Sequence, residues 1–306
     1  MTEIDIVLLT ESRYIDANPS ESYKKDVLKE DHVLSSALEK RGFSTLRVSW
    51  TDPDFDWSSA KFLMFRSIWD YFYHFEQFKL WLQNREGEGK FINVLPQVRW
   101  NVDKHYLKDL EDKGISIVPT KYLEAGNALG LTQVFNDHPS DKLIIKPAVS
   151  GTARHTYLIT RSNVSAHERI FNELIGKESM LVQPFLKNIA DQGEVSLVLF
   201  EGNYSHAILK KAKPGDFRVQ GDFGGTLHAY NPSDEEIHFA KKVVETCDPI
   251  PVYARVDVAR DDNNEMVLVE LELIEPDLWL RLNPGSEEKL AQAVKNHISM
   301  LELGGI

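Results

Sequence analysis

The sequence contains one cysteine, Cys247, in 306 residues. A single thiol excludes an intramolecular disulfide and any cysteine-rich zinc site, and it suits a reducing compartment. Cys247 ends a helical stretch and has no catalytic motif around it, so a structural role is expected. No apolar run is long enough to span a bilayer, and the acidic start lacks the basic region of a signal peptide. Both absences point to a cytoplasmic protein. Positive charge is also scarce: 35 Lys and Arg stand against 47 Asp and Glu, a net charge of −12. That deficit argues against a sequence-independent nucleic-acid binder, while leaving room for a local basic pocket around a small anion. No GxxxxGK[ST] occurs, which excludes a Walker-type phosphate loop. Internal repeats and low-complexity tracts are missing too.

What is present is best approached from the stretch 252–276, VYARVDVARDDNNEMVLVELELIEP. Two β-branched and aliphatic runs flank Asp261-Asp262-Asn263-Asn264, a turn-forming cluster, and predict an antiparallel hairpin. With those four residues as the loop, Arg260 faces Glu265, Val258 faces Val267, Val256 faces Val269, Ala254 faces Leu271 and Val252 faces Leu273. The other face carries Tyr253, Arg255 and Asp257 against Leu268, Glu270 and Glu272, with Arg255 opposite Glu270. Carboxylates two apart on one strand lie about 6.6 Å apart along it, a spacing that suits one or two oxygen-ligated cations. A solvated acidic surface would give the same pattern.

Along the rest of the chain, strands at 4–10, 43–49, 61–66 and 91–95 alternate with helices at 22–40 and 69–83, which predicts an α/β layer with a parallel sheet. Ligands bind beyond the carboxyl ends of such strands, so Arg66, which ends the third, is a candidate for a substrate carboxylate. A helix is expected at 101–113, a short strand at 115–118 and helix over 120–137. Lys146-Pro147 ends a strand that begins at Lys142 and precedes the small-residue turn Ser150-Gly151-Thr152-Ala153, a combination that suits phosphate. A helix at 164–175, a strand over 180–185 and a linker follow. The next hairpin pairs 193–201 with 204–209. The segment 210–230, with Lys210, Lys211, Lys213, Arg218 and four glycines, is expected to be a mobile basic loop. Helices at 233–246 and 286–303 complete the chain.

In this order the pieces resemble the ATP-grasp carboxylate–amine ligases of the glutathione synthetase and ribosomal-protein-S6 glutamate-ligase type, including the branch that cyclises O-ureido-serine. The resemblance covers most of the chain and is strongest from Lys142 onward. The family's metal motif is Glu-x-Asn with proline four residues later. Here Glu270-Leu271-Glu272 precedes Pro276 at that spacing, with Glu272 replacing asparagine and Asp257 as the preceding metal carboxylate. The resemblance also implies roles for other residues. Lys104 and Lys146 would bind phosphate. Gln183, Phe185 and Leu186 would form the hinge around adenine, and Glu194 would hold ribose. Arg218 would touch the nucleotide and act in catalysis with Arg255. Gly224 and Gly225 would belong to a substrate loop, with Arg281 as a further substrate residue.

The implied architecture is α/β: an amino-terminal Rossmann-like parallel domain (1–95), a central ATP-grasp lobe (96–185) and a carboxyl-terminal lobe (186–306). The implied reaction activates a carboxylate as an acyl phosphate with ATP and one or two Mg²⁺ (or Mn²⁺), and then forms an amide with an amine. Positioning and charge neutralisation would dominate such catalysis. The expected partners are small molecules, and a homodimer is the default for soluble enzymes. An ATP-grasp kinase and a nucleotide-binding protein without turnover are the alternatives.

Overall fold

The computed structural model describes residues 3–15, 22–86 and 90–303. Its thirteen described strands form three sheets. The first comprises β1 (Ile4–Thr10), β2 (Thr45–Ser49), β3 (Ala60–Ser67) and β4 (Lys90–Ile92), all parallel in the order β2-β1-β3-β4. Its continuous apolar strands are buried on both faces, as a parallel sheet requires. Helices α1 (Ser22–Glu39) and, from the far end of the chain, α9 (Ser286–Glu302) bring Leu34, Leu38, Leu290 and Val294 to one core. Helix α2 (Phe75–Asn84) brings Phe78 and Trp81 to another, where Trp50 and Phe65 pack edge-on against them.

The second sheet is antiparallel: β5 (Lys121–Leu123), β6 (Lys142–Pro147), β7 (Tyr157–Thr160) and β8 (Met180–Pro184), ordered β5-β8-β6-β7. The third holds β9 (Glu194–Phe200), β10 (Asn203–Lys211), β11 (Thr226–Tyr230), β12 (Tyr253–Arg260) and β13 (Met266–Glu272), ordered β11-β10-β9-β12-β13. Six further helices connect these elements: α3 (Leu95–Asn101), α4 (Tyr106–Asp112), α5 (Leu131–Asn136), α6 (Val164–Ile175), α7 (Lys187–Gln192) and α8 (Asp234–Glu245). Ser233 caps α8 in a reciprocal box with Glu236.

Several expected elements are different in the structure. The segment expected to be helical over 120–137 begins as β5, because pairing with β8 outweighs its weak helical pattern. The strand expected at 115–118 is a single bridge between Ile117 and Leu268. The helix expected at 101–113 is split: α3 ends at Asn101 and α4 starts at Tyr106, leaving Lys104 between them. The linker after β8 contains α7, and the basic segment 210–230 is pinned at both ends by β10 and β11.

The β12–β13 hairpin forms, but in another register. Its loop closes when Asp261 N donates to Glu265 O at 2.8 Å, and Arg260 pairs with Met266 rather than Glu265. A bulge between Asp257 and Val258 then shifts the pairing again. Val258 faces Leu268, Asp257 faces Glu270, and Arg255 faces Glu272. Val269 therefore leaves the expected core face, and Leu268 joins the core fully buried. Tyr253 is not on a charged face either: it is fully buried, and its hydroxyl donates to the carbonyl of Ile274 at 2.9 Å.

Two buried asparagines from the first half fasten this hairpin. Asn93 Nδ2 donates to the carbonyls of Tyr253 (2.8 Å) and Leu273 (2.9 Å), while its Oδ1 accepts from Val252 N at 2.6 Å. Asn101 Nδ2 donates to Leu271 O at 2.8 Å and its Oδ1 accepts from Leu273 N at 2.8 Å. Asn93→Ala leaves several buried backbone groups unpaired and should cost at least about 2 kcal/mol, at roughly 1–3 kcal/mol for each group. A urea titration checks this; an unchanged midpoint would show that the bonds are replaced.

Candidate active site

The second and third sheets enclose a cleft of about 400 Å³, and the end of the first sheet closes it. One wall comes from β6 and the loop after it. Lys146 lies there on the cleft side of β6, and burial lowers its pKa against the pull of Glu270. The following loop contains Thr152, Ala153 and His155, all with positive φ (48°, 56° and 49°). Left-handed non-glycine residues cost on the order of 1–3 kcal/mol each, and such strain gathers at functional loops. Gly151 is needed there: an added Cβ would lie 2.6 Å from the Phe72 ring.

Lys104 reaches the same space from the break between α3 and α4. Its backbone N donates to Ala148 O at 3.0 Å, its Nζ bonds the Ser150 carbonyl, and Nζ lies 3.0 Å from Glu270 Oε1. One lysine thus ties the strained loop to the hairpin.

The opposite wall is charged. Asp257 is 2% exposed and accepts four bonds: from Ser196 Oγ (2.6 Å), Lys210 Nζ (2.8 Å), Arg255 Nε (3.0 Å) and Arg255 Nη2 (2.9 Å). Burial opposes its ionisation, but the two cations prevail and hold its pKa well below the carboxylate range. Arg255 also pairs with Glu272, and Lys210 with Glu194. Burial raises Glu194 despite Lys210. Burial likewise pushes Glu272 up to about 8 against the pull of Arg255, with Glu270 and Asp257 adding repulsion. Glu270 goes the other way: burial raises it, but Lys104 and Lys146 overcome that and lower it.

Between the walls is an apolar slot lined by Ile144, Phe185, Leu186, Ile189 and Val269. Its apolar lining suits an aromatic base. Gln183 is buried, and its Nε2 donates to Thr120 Oγ1 at 2.9 Å, so its side chain braces the hinge. Phe185 meets Phe217 edge-on at 6.3 Å, joining the hinge to the basic loop. In that loop Arg218 forks onto Asp216 (3.0 and 2.8 Å) and stacks 3.6 Å over the Phe223 ring. A side chain on Gly225 would collide with the Val219 carbonyl, and Gly224 takes a left-handed φ of 82°.

The cleft therefore brings together Lys104, Lys146, Gln183, Phe185, Leu186, Glu194, Arg218, Gly225, Arg255, Asp257, Glu270, Glu272 and Arg281, all expected from the sequence. Gly224 stands just behind its neighbour. Arg66 is not brought to this cleft. It lies 2% exposed beside Asp31 (3.3 Å) and Glu30 (3.7 Å), in a small adjoining cavity. Arg281 lines both spaces and is already paired with Glu30 (3.0 Å) and Asp277 (2.7 Å). Lys210 and Glu275 were not singled out in the sequence. Lys210 sits directly across β9–β10 from Glu194, a placement visible only once that pairing is known.

For a divalent cation the fit is partial. Among the described residues, no three carboxylate, histidine or thiol groups converge on one point. Glu270 and Glu272 supply crowded, hard oxygen donors beside the cleft, and that chemistry suits Mg²⁺. The oxygens of Asp257, expected as a third ligand, are taken by Lys210 and Arg255.

Known proteins resemble this chain in sequence and in fold. Residues 6–93 match the model of the D-cycloserine synthetase DcsG N-terminal domain, and residues 133–274 match the RimK-like ATP-grasp domain. The cycloserine biosynthesis protein DcsG of Streptomyces lavendulae is 27% identical over 283 residues, covering 87% of this chain and 92% of that protein. The crystal structure of D-cycloserine synthetase DcsG superposes with a TM-score of 0.83 at 24% identity, covering 95% of this chain and 99% of the other. D-alanine–D-alanine ligase from Bacillus anthracis, complexed with ATP, gives 0.61 at 13% identity, covering 96% of each chain.

Proposed function

We propose that this chain, which belongs to the ATP-grasp ligases of the RimK-like type and is an ATP-dependent carboxylate–amine ligase, acts on a small amino acid and closes an amide within that molecule. The observation that carries this reading is the match of the chain's first sheet to the N-terminal domain of a cycloserine synthetase, alongside the nucleotide-binding lobes. Cycloserine is the cyclic amide of β-aminooxyalanine, so the carboxylate and the amine belong to one molecule. The cleft volume of about 400 Å³ supports a small substrate beside the nucleotide. Relatives named as ligases and synthetases favour amide formation over phosphoryl transfer alone.

In this reading adenine occupies the slot at Ile144, Phe185 and Val269, with the ribose near Glu194. Lys104, Lys146 and Arg218 hold phosphate oxygens, and the amides of the 150–156 loop add neutral donors. Glu270 and Glu272 would hold Mg²⁺, which when bound neutralises phosphate charge. Arg255 and Lys210, kept charged by Asp257, line the side where the acyl phosphate forms and offset charge gathering on its oxygens. Asp277 and Arg281 border the cleft beyond Glu272 and set the space left for the substrate. A reducing, cytoplasmic setting suits an ATP consumer with one buried thiol.

The test is ADP release in Mg·ATP over a panel of D- and L-amino acids including β-aminooxyalanine, with products examined by mass spectrometry. Amide formation from β-aminooxyalanine alone supports ring closure; ADP release only with amino-acid pairs would move the reading to intermolecular ligation. Lys146→Ala should raise the Kd for Mg·ATP by about 10- to 100-fold, since one charge-assisted contact is worth roughly 1.5–3 kcal/mol. Calorimetry showing unchanged affinity would remove Lys146 from the phosphate site.

A further inference from the structure

We propose that Glu275, on the wall of the cleft beside Tyr71, is a catalytic residue: the base that takes the proton released as the amine attacks the acyl phosphate. This inference rests on the ligase reading above. Glu275 borders the cleft with Lys104, Glu270 and Glu272, yet it differs from the other carboxylates there. Glu270 has Lys104 at 3.0 Å, Asp257 has Lys210 and Arg255, and Glu272 has Arg255. Among the described residues, no lysine, arginine or histidine lies within ion-pair distance of Glu275. A half-buried carboxylate without an ion-pair partner costs stability and contributes nothing obvious to the fold. Such groups cluster where chemistry needs them.

Its placement is tightly held. Trp69 Nε1 donates to the Glu275 carbonyl at 2.8 Å, and the Tyr253 hydroxyl donates to the preceding carbonyl of Ile274 at 2.9 Å. Pro276 favours an extended backbone at residue 275. Tyr71, which is 4% exposed in the turn that follows β3, lines the cleft with Glu275. Glu275 therefore sits where the carboxyl edge of the first sheet meets the chain just after β13, on the wall of the cleft.

The titratable groups facing it are Tyr71 after β3, Lys104 before α4, Tyr253 on β12, and Glu270 and Glu272 on β13. Burial raises its pKa first and Glu270 adds to this; Lys104 and Tyr71 pull it down, and the balance lies at about 7. A base with a pKa near the working pH is effective. Burial keeps the Tyr71 phenol protonated, so it remains a donor. In the step itself, the amine nitrogen bonds to the acyl carbon and the carbon–oxygen bond to phosphate breaks. Phosphate leaves with that electron pair, and the nitrogen's proton passes to a Glu275 oxygen.

The experiment compares wild type with Glu275→Gln, using Mg·ATP and the amino-acid panel including β-aminooxyalanine, with and without saturating hydroxylamine. Hydroxylamine captures an acyl phosphate as a hydroxamate and requires no base from the protein. Glu275→Gln should form hydroxamate at a near-normal rate while amide formation falls about 100-fold. The fall in wild-type amide formation as pH drops through about 7 should vanish in the variant. Tyr71→Phe keeps the carboxylate and removes the hydroxyl that lowers its pKa, so it should move that limb upward. An unchanged amide rate, equal loss of hydroxamate and amide, or a pH limb unmoved in both variants would overturn the proposal. No hydroxamate from wild type with any panel member would overturn the ligase reading beneath it.

Discussion

Glu270→Gln is expected to abolish ATP-dependent ligation, by a factor of about 10³ or more, while leaving the fold in place. Glu270 is the carboxylate on which Lys104 and Lys146 both act, one of them at 3.0 Å. In the proposed reading it would also help to hold Mg²⁺. The amide keeps the side chain's shape but removes its charge, so the two lysines lose their common anion and a bound Mg²⁺ would lose a carboxylate ligand. Losing a single preorganised electrostatic group in an active site commonly costs about 10²–10³ in rate, and here two functions depend on one group. The measurement is initial-rate ADP release with the thermal melt as a control. Near-wild-type turnover in a folded variant would refute the site as described.

Asp257→Ala should strike stability as well as activity. Both Asp257 oxygens are filled by Lys210, Arg255 and Ser196, and the group is 2% exposed. Truncation leaves two buried cations with only Glu194 and Glu272 to share. Breaking a buried charge network in this way typically costs about 3–5 kcal/mol, a fall in Tm on the order of 10 °C for a protein of this size. Replacing Lys210 as well, in Asp257→Ala/Lys210→Met, should return part of that loss, because one uncompensated charge goes with its partner. Calorimetry of both single variants and the double decides the matter. If the double variant is less stable than the sum of the singles, Lys210 is held by Glu194 rather than by Asp257.

These effects bear on the role of Asp257. The resemblance to ATP-grasp enzymes implies that it ligates metal. In the arrangement seen here it is the anion that keeps Arg255 and Lys210 charged and aimed at the cleft. Arg255 was expected from the sequence, but Lys210 was one of several basic residues in a supposedly mobile segment. The pairing of Glu194 with Lys210 across β9–β10 makes it part of the buried wall.

By itself, the sequence determined the parallel first sheet, the existence of the β12–β13 hairpin, and the residue types that bring opposite charges to one cleft. Those features follow from local periodicity and from motif order, which survive without knowledge of neighbours. Tertiary structure decided the hairpin's register. A constant pairing sum assumes an undisturbed ladder, but Asn93, Asn101 and the Tyr106 hydroxyl seize backbone groups between Val252 and Leu273 from outside it. The bulge that accompanies those bonds turns Val269 out to the apolar slot of the cleft, sets Asp257 against Glu270, and gives Arg255 to Glu272. It took the same long-range packing to bring Tyr71 beside Glu275, some two hundred residues away in the chain. No local pattern encodes such contacts, because side chains from distant elements supply the hydrogen bonds that select among registers the hairpin alone would permit.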